Sequence, residues 1–443
     1  MATAHRILIP ADDTGLWKTK QDEEAAVKVS ELLQADLEKH HVFFNQSGFH
    51  NHIAHQLLAL YGTGATPSTL QAAYDANKSY QLKAIPVRSS VIAELQEDWS
   101  ANASKYLGSG KHYSDFLNFF QLEMDKNGWE AVVSEYLCQD TPKSRDIVQR
   151  LFAGILHPMI QLQYGLEWEQ PAIIASGLAQ AAIHRNPLGE FYDKVDVAVK
   201  NIDQSGVEVK NRGISEVCEN IHEGHEKLAS IATWEDNDRL YEAVLGRGLQ
   251  EAVALAATLR VGEDELEERV AEMWHHNAYV AAAASWNPPH VPKYDFFLIH
   301  NLNSSPFVLS FNKPFISKSA QIRILEHKMR YDLVQYIARG CPSLNVTFIR
   351  DYNPQNQSPA SKPSDLLRKY HSIIDDGHLI KVARSLLIAQ EVSRKWKGRP
   401  WVRLDEDDWL KAHYMLLKGA EGQEGMWVRS AGFKEAWKEV PKL

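Results

Sequence analysis

A mainly helical (all-α), multi-helix, bundle-like fold with few or no strands is predicted, as one domain over residues 1–443, and three observations predict it. Apolar residues recur at three- and four-residue spacing through nearly every informative stretch, the period of one face of an α-helix. The one strand-like run, Ser343 to Arg350 after Pro342, is isolated, and a lone strand has nothing to pair with. No repeat of fixed period and no clear linker divides the chain.

Residues 1–40 read as a peripheral N-terminal arm, a short apolar run (Arg6 to Pro10) followed by charged residues. Asn51 is placed to cap a helix that runs through Tyr61 and stops at Gly62 or Gly64. His52 and His55 lie three apart on that helix, and His50 just precedes it. Pro67 opens a second helix reaching Leu82. Gly62 and Gly64 make no dinucleotide fingerprint, because Pro67 stands where a third glycine belongs and no strand precedes them. Gly108-Ser109-Gly110-Lys111-His112 lacks the spacing and the Ser/Thr of a P-loop. Helical spacing returns from Asp115 to Tyr136 and from Ser144 to Ile160, where Pro158 breaks or kinks the helix just after His157. Pro171 to His184 is a small-residue helix ending in a histidine. Trp234 to Leu259 and Glu263 to Ala284 predict two strong helices, and 294–301 fits helix or strand. Residues 317–338 and 410–417 are helical, 351–363 a loop, and 427–443 a docking tail.

The stretch Asp375 to Leu387 is the most informative. Two acids mark a helix start, and Leu379, Val382, Leu386 and Ala389 recur as an apolar face. His378 and Lys381, three apart, share a face. Two readings follow. Lys381 snorkels to solvent, or it is buried, loses its proton and takes up carbon dioxide as a carbamate, turning a cation into an anionic oxygen ligand.

The chain is 44% hydrophobic and 24% charged, with a net charge of -9 made of interspersed acids and bases. That balance argues against nucleic acid or an anionic membrane as the main partner. From three cysteines without a CxxC pair, no disulfide framework or thiolate metal site follows. No apolar run approaches a membrane span and no leader-like segment opens the chain, so a soluble cytoplasmic protein is expected. Nineteen histidines invite a metal search. Four of them, His52, His157, His300 and His378, sit at the edges of apolar helical stretches. Helical bundles build metal sites from several facing helices, and four imidazoles with one anionic oxygen suit iron(II), manganese or zinc.

Five motifs in a fixed order carry a resemblance: GFHNHIAHQLLALYGTGA (48–65), HPMIQLQYGLEW (157–168), DFFLIHNL (295–302), DDGHLIKVARSLL (375–387) and WVRSAGFKEAWKEVP (427–441). By them the chain resembles, over nearly its whole length, the questin oxidase-like family, fungal oxygenases that cleave anthraquinone rings in aromatic polyketide biosynthesis. The resemblance implies non-haem iron, Fe(II), held by His52, His157, His300, His378 and a carboxylated Lys381, with His378 and Lys381 at the catalytic centre. His50 and His55 share the first motif with His52 and remain alternatives to it, as does His184. It implies dioxygen and an anthraquinone-like polyketide as substrates, with a dioxygenase or Baeyer–Villiger-type outcome. NADPH is a further expectation as electron source, without a visible binding motif; no flavin is expected. Tyr164, Glu167 and Arg384, near the ligand motifs, are candidates for substrate contact, and Arg384 equally for a structural ion pair. A carbamate-supported metal hydrolase and a catalytically silent aromatic-polyketide binding protein fit the same residues.

Overall fold

The computed structural model describes residues 1–206, 210–354, 359–421 and 425–442. It is 63% helical with 2% strand, and no sheet forms among the described residues; bridges such as Phe43 with His50 are isolated. The mainly helical class expected from the sequence is the one observed. Residues 355–358 of the expected loop and residue 443 of the expected tail lie outside the described residues. Among the described residues, no helix is long and apolar enough to cross a membrane.

The chain divides into two compact units. One comprises 1–189, 306–321 and 367–384, the other 190–305, 322–366 and 385–443. In the first unit the helices His157–Glu167 and Pro171–Ile183 are buried along their whole length, as expected of helices that are apolar or small-sided all round. Residues 1–40 are less peripheral than their charge suggests. Ile7 and Ile9 are buried, and Asp22 caps the helix Glu23–Lys39, whose Ala26, Val29 and Leu33 face inward.

Three expected elements are corrected. The helix expected over 144–160 is two helices, Pro142–Arg150 and His157–Glu167. Gly154, Ile155 and Leu156 between them all have positive φ, and Pro158 begins the second helix instead of ending the first, since its missing N–H costs nothing in a first turn. The run 343–350 is not a strand: Asn345 accepts the Thr347 N–H and caps the helix Val346–Asp351. The long helix expected over 234–259 is a π-helical segment Arg239–Arg247 followed by Leu249–Ala256, with Gly248 between them.

In the second unit, Asp295 resolves the ambiguity of 294–301. Its Oδ1 accepts the N–H groups of Phe297 and Leu298 and starts the helix Leu298–Asn303. The tail packs against the same place. The Phe296 N–H donates to the Val428 carbonyl, the Ala431 N–H donates to Asp295 Oδ2, and Trp437 is buried.

Candidate metal centre

The helix His378–Ser393 is buried on every face from His378 through Gln390. Asp375 starts it as the two acids suggested: its Oδ2 accepts the Leu379 N–H and its Oδ1 that of Gly377, both at 2.9 Å. Gln56 and Asn77 donate side-chain amides to the Asp375 carbonyl, at 2.9 and 3.0 Å. These bonds tie the turn before His378 to two helices, Ile53–Tyr61 through Gln56 and Pro67–Asn77 through Asn77. Gly377 sits at φ +92°, and a Cβ there would lie 2.5 Å from the Gln56 Cβ, so a side chain would be both strained and blocked.

His52, at the N-terminus of the helix Ile53–Tyr61, His157 and His378 come together, with one ring nitrogen of each within 4.8 Å of the others. His52 Nδ1 lies 3.1 Å from the Asp376 carbonyl, and His157 Nδ1 lies 2.7 Å from the Gly154 carbonyl. A carbonyl only accepts, so each Nδ1 carries the proton and each Nε2 keeps its lone pair. Those two Nε2 atoms are 2.9 Å apart. Two lone pairs at that distance repel unless a cation stands with them. Two nitrogens bound at about 2.1 Å and at right angles to one ion are about 3 Å apart, so the donor set fits a first-row metal. His378 Nδ1 pairs with Asp376 Oδ1 at 2.6 Å, which leaves its Nε2 as the ligand atom. Imidazoles that hold metals are oriented in this way, by an oxygen on the far nitrogen.

Asp376 thus serves two of the three rings, with its Oδ2 also 3.4 Å from His52 Nδ1. Burial pushes its carboxyl pKa up, but the charges and hydrogen bonds of His378 and His52 hold it well below the usual carboxylate range. His52 is pushed down to about 4 by burial and by the Lys381 and His378 charges, which keeps it a neutral donor.

Lys381 is buried, so its amine does not snorkel. Burial brings its pKa down to about 8 against the opposing pull of Asp376 and Asp375, and Nζ lies 3.2 Å from His55 Nδ1. His55 is itself driven well below the ordinary imidazole range by burial and by Lys381. His50 pairs instead with His184, Nε2 to Nε2 at 2.9 Å. His300 belongs to the second unit, fully buried on the helix Leu298–Asn303. Its Nδ1 is 2.6 Å from the Phe296 carbonyl, repeating the pattern of His52 and His157.

Arg384 and Glu167 form an ion pair with each side chain only 1% exposed. Glu167 Oε1 also accepts the Leu16 N–H at 2.8 Å, and the Arg384 guanidinium lies 5.7 Å from the centre of the Tyr164 ring. Each charge of the pair has the other as partner, the structural alternative for Arg384. The part sequence reasoning missed is Asp376, read only as one of two helix-start acids. Its position two residues before His378 was the available signal.

The sequence profile of the family described as Questin oxidase-like matches residues 49–386. A Baeyer-Villiger oxidase, ptaJ, of Pestalotiopsis fici is 34% identical, with 100% of this chain and 99% of that protein aligned. A questin oxidase of Aspergillus fumigatus is 32% identical over 100% of both chains. An oxidoreductase, AflY, of Aspergillus parasiticus is 30% identical over 100% of this chain and 94% of its own.

Proposed function

The chain belongs to the questin oxidase-like family, and on that premise we propose that it is a non-haem iron-dependent oxygenase that oxidatively opens a ring of an anthraquinone or hydroanthraquinone in fungal polyketide biosynthesis. The observation that carries the iron reading is the facing pair of His52 and His157 Nε2 atoms at 2.9 Å, each with its Nδ1 on a carbonyl. His52, His157 and His378 would hold the metal. Lys381, with a pKa near 8 through burial, has the free-amine fraction that carbamate formation requires. When bound, iron(II) would supply the activation of dioxygen.

The protein's own residues orient and enclose. Asp376 and the Gly154 carbonyl fix the ring tautomers and aim the nitrogens. The buried walls on the helices His157–Glu167 and His378–Ser393 keep water from a reactive centre. The proposal has two stoichiometries, the second of them matching the Baeyer-Villiger names of relatives. A dioxygenase places both oxygen atoms in the opened product and needs no outside electrons. A Baeyer–Villiger-type outcome inserts one atom and reduces the other to water, with two electrons from a donor such as NADPH.

The test is turnover of a hydroxylated anthraquinone and of its reduced form, with and without NADPH, in labelled dioxygen. Ring-opened product carrying label, lost on chelation and restored by iron(II), supports the proposal. Product formation without dioxygen favours the hydrolase, and tight binding without turnover favours the silent binding protein.

A further inference from the structure

The stretch Gly108 to Lys111, not a P-loop by its spacing, lines a cleft of about 770 Å³ in the first unit. That volume falls within the range of small-molecule sites. One side is aromatic: Phe43 stands edge-on to His50 and His184, at 5.3 and 5.6 Å between ring centres. His50 stacks on His157 at 4.0 Å and 5°, so the cleft ends one ring away from the imidazole group. The site is built. Gly154 lies under the histidine pair so closely that a Cβ would come 2.5 Å from His184 Nε2. His41 accepts the Phe43 N–H at Nδ1 and donates from Nε2 to the Gly110 carbonyl, both at 3.0 Å. It thereby fastens the Lys111 loop to the aromatic wall.

The charge of the cleft is the reverse of the chain's. The protein carries a net -9, yet no Asp or Glu lines this cleft, while Lys83, Lys111 and Arg185 do. None of these three cations is ion-paired among the described residues. Arg150 close by is already matched by Asp146 at 2.8 Å. Three unmatched cations on a concave surface free of acids focus potential toward a small anion. The planar rings beside them offer flat contact for an aromatic body.

We propose that this cleft binds a planar aromatic anion, the ring system against Phe43, His50 and His184 and a ring-borne carboxylate or phenolate among Lys83, Lys111 and Arg185. Resting on the function proposed above for the ring class, it is the docking site of the substrate beside the metal centre.

The experiment measures binding of anthraquinone-2-carboxylate and its neutral carboxamide to metal-depleted full-length protein by calorimetry. A second pair, 2-hydroxy- and 2-methoxyanthraquinone above the phenol's pKa, separates a phenolate from a carboxylate preference. At least one anion binds about fivefold tighter than its neutral twin. The preference shrinks with added salt and vanishes in the double variant Lys111→Ala/Arg185→Ala. Equal affinity within both pairs, or a preference that survives the double variant, overturns the inference. Charge-selective binding without ring-opening activity upholds the cleft while the oxygenase reading falls. Ring-opening activity whose KM for anionic substrate is unchanged in the double variant overturns the cleft alone.

Discussion

His52 and His157 face one another nitrogen to nitrogen at 2.9 Å, and the far nitrogen of each ring is held by a backbone carbonyl, Asp376 for one and Gly154 for the other. Neither ring can give the other a proton without losing its own carbonyl bond. The pair is arranged for a cation, and the residues that enforce this are testable.

Asp376→Asn keeps the shape of the side chain but replaces a charged acceptor, which His378 Nδ1 meets at 2.6 Å, with an amide. Metal affinity is expected to fall about 10- to 100-fold, the usual effect of losing such an outer partner. Competition with a chelator of known affinity measures it, and the backbone contact from His52 to the Asp376 carbonyl should survive.

Lys381 titrates near pH 8 because burial outweighs the attraction of Asp375 and Asp376. Only the neutral amine takes up carbon dioxide, so its reactive fraction grows as pH rises through 8. At fixed dissolved carbon dioxide, metal loading is expected to speed up from pH 7 to 9 and to slow in carbon-dioxide-depleted buffer. Lys381→Ala should abolish both dependences.

If Arg384 and Glu167 serve the fold, either single change, Arg384→Met or Glu167→Met, strands a buried charge and costs about 3–5 kcal/mol. The double change to Met at both positions should recover most of that loss. Urea unfolding of the four proteins measures the coupling. Full stability with a raised KM in the single variants would assign Arg384 to substrate instead.

Much of the centre was legible because its histidines stand at helix ends that sequence can locate: His52 beside Asn51, His157 before Pro158, and His378 after the capping Asp375. The break at 151–156 was not, since Ile147, Leu151 and Ile155 continue the helical period and only the positive φ of Gly154, Ile155 and Leu156 interrupts it. Nor was the service of Asp376 to His52, a partnership across 324 residues that only the tertiary fold creates. The helix Val346–Asp351 was masked by β-branched residues, whose strand preference yields to the Asn345 cap where no partner strand lies among the described residues.

His275, His276 and His413 are held to pKa values of about 3 by burial, against an ordinary 6.5. Above 6.5 they are neutral whether the chain is folded or not. Below 6.5 the unfolded chain takes up protons that the folded one refuses, so stability is lost as pH falls from 6.5 toward 3. Each contributes about 1.4 kcal/mol per pH unit in that window. His275 shows the cost directly, since its Nε2 accepts the Arg403 N–H at 2.8 Å and cannot do so once protonated. Unfolding free energies at pH 7.5 and 5.5 should differ by several kcal/mol, and His275→Gln should narrow the gap.

Whether the three imidazoles hold iron is decided by the metal content of protein purified without chelator, beside His157→Gln. Stoichiometric iron is expected in the parent and none in the variant. Adding iron(II) to depleted parent protein should raise its Tm, equivalent to about 2.7 kcal/mol at a hundredfold excess over Kd, with no rise in the variant. A parent that stays free of metal after anaerobic reconstitution, or a variant that loads iron as well as the parent, would contradict the iron reading.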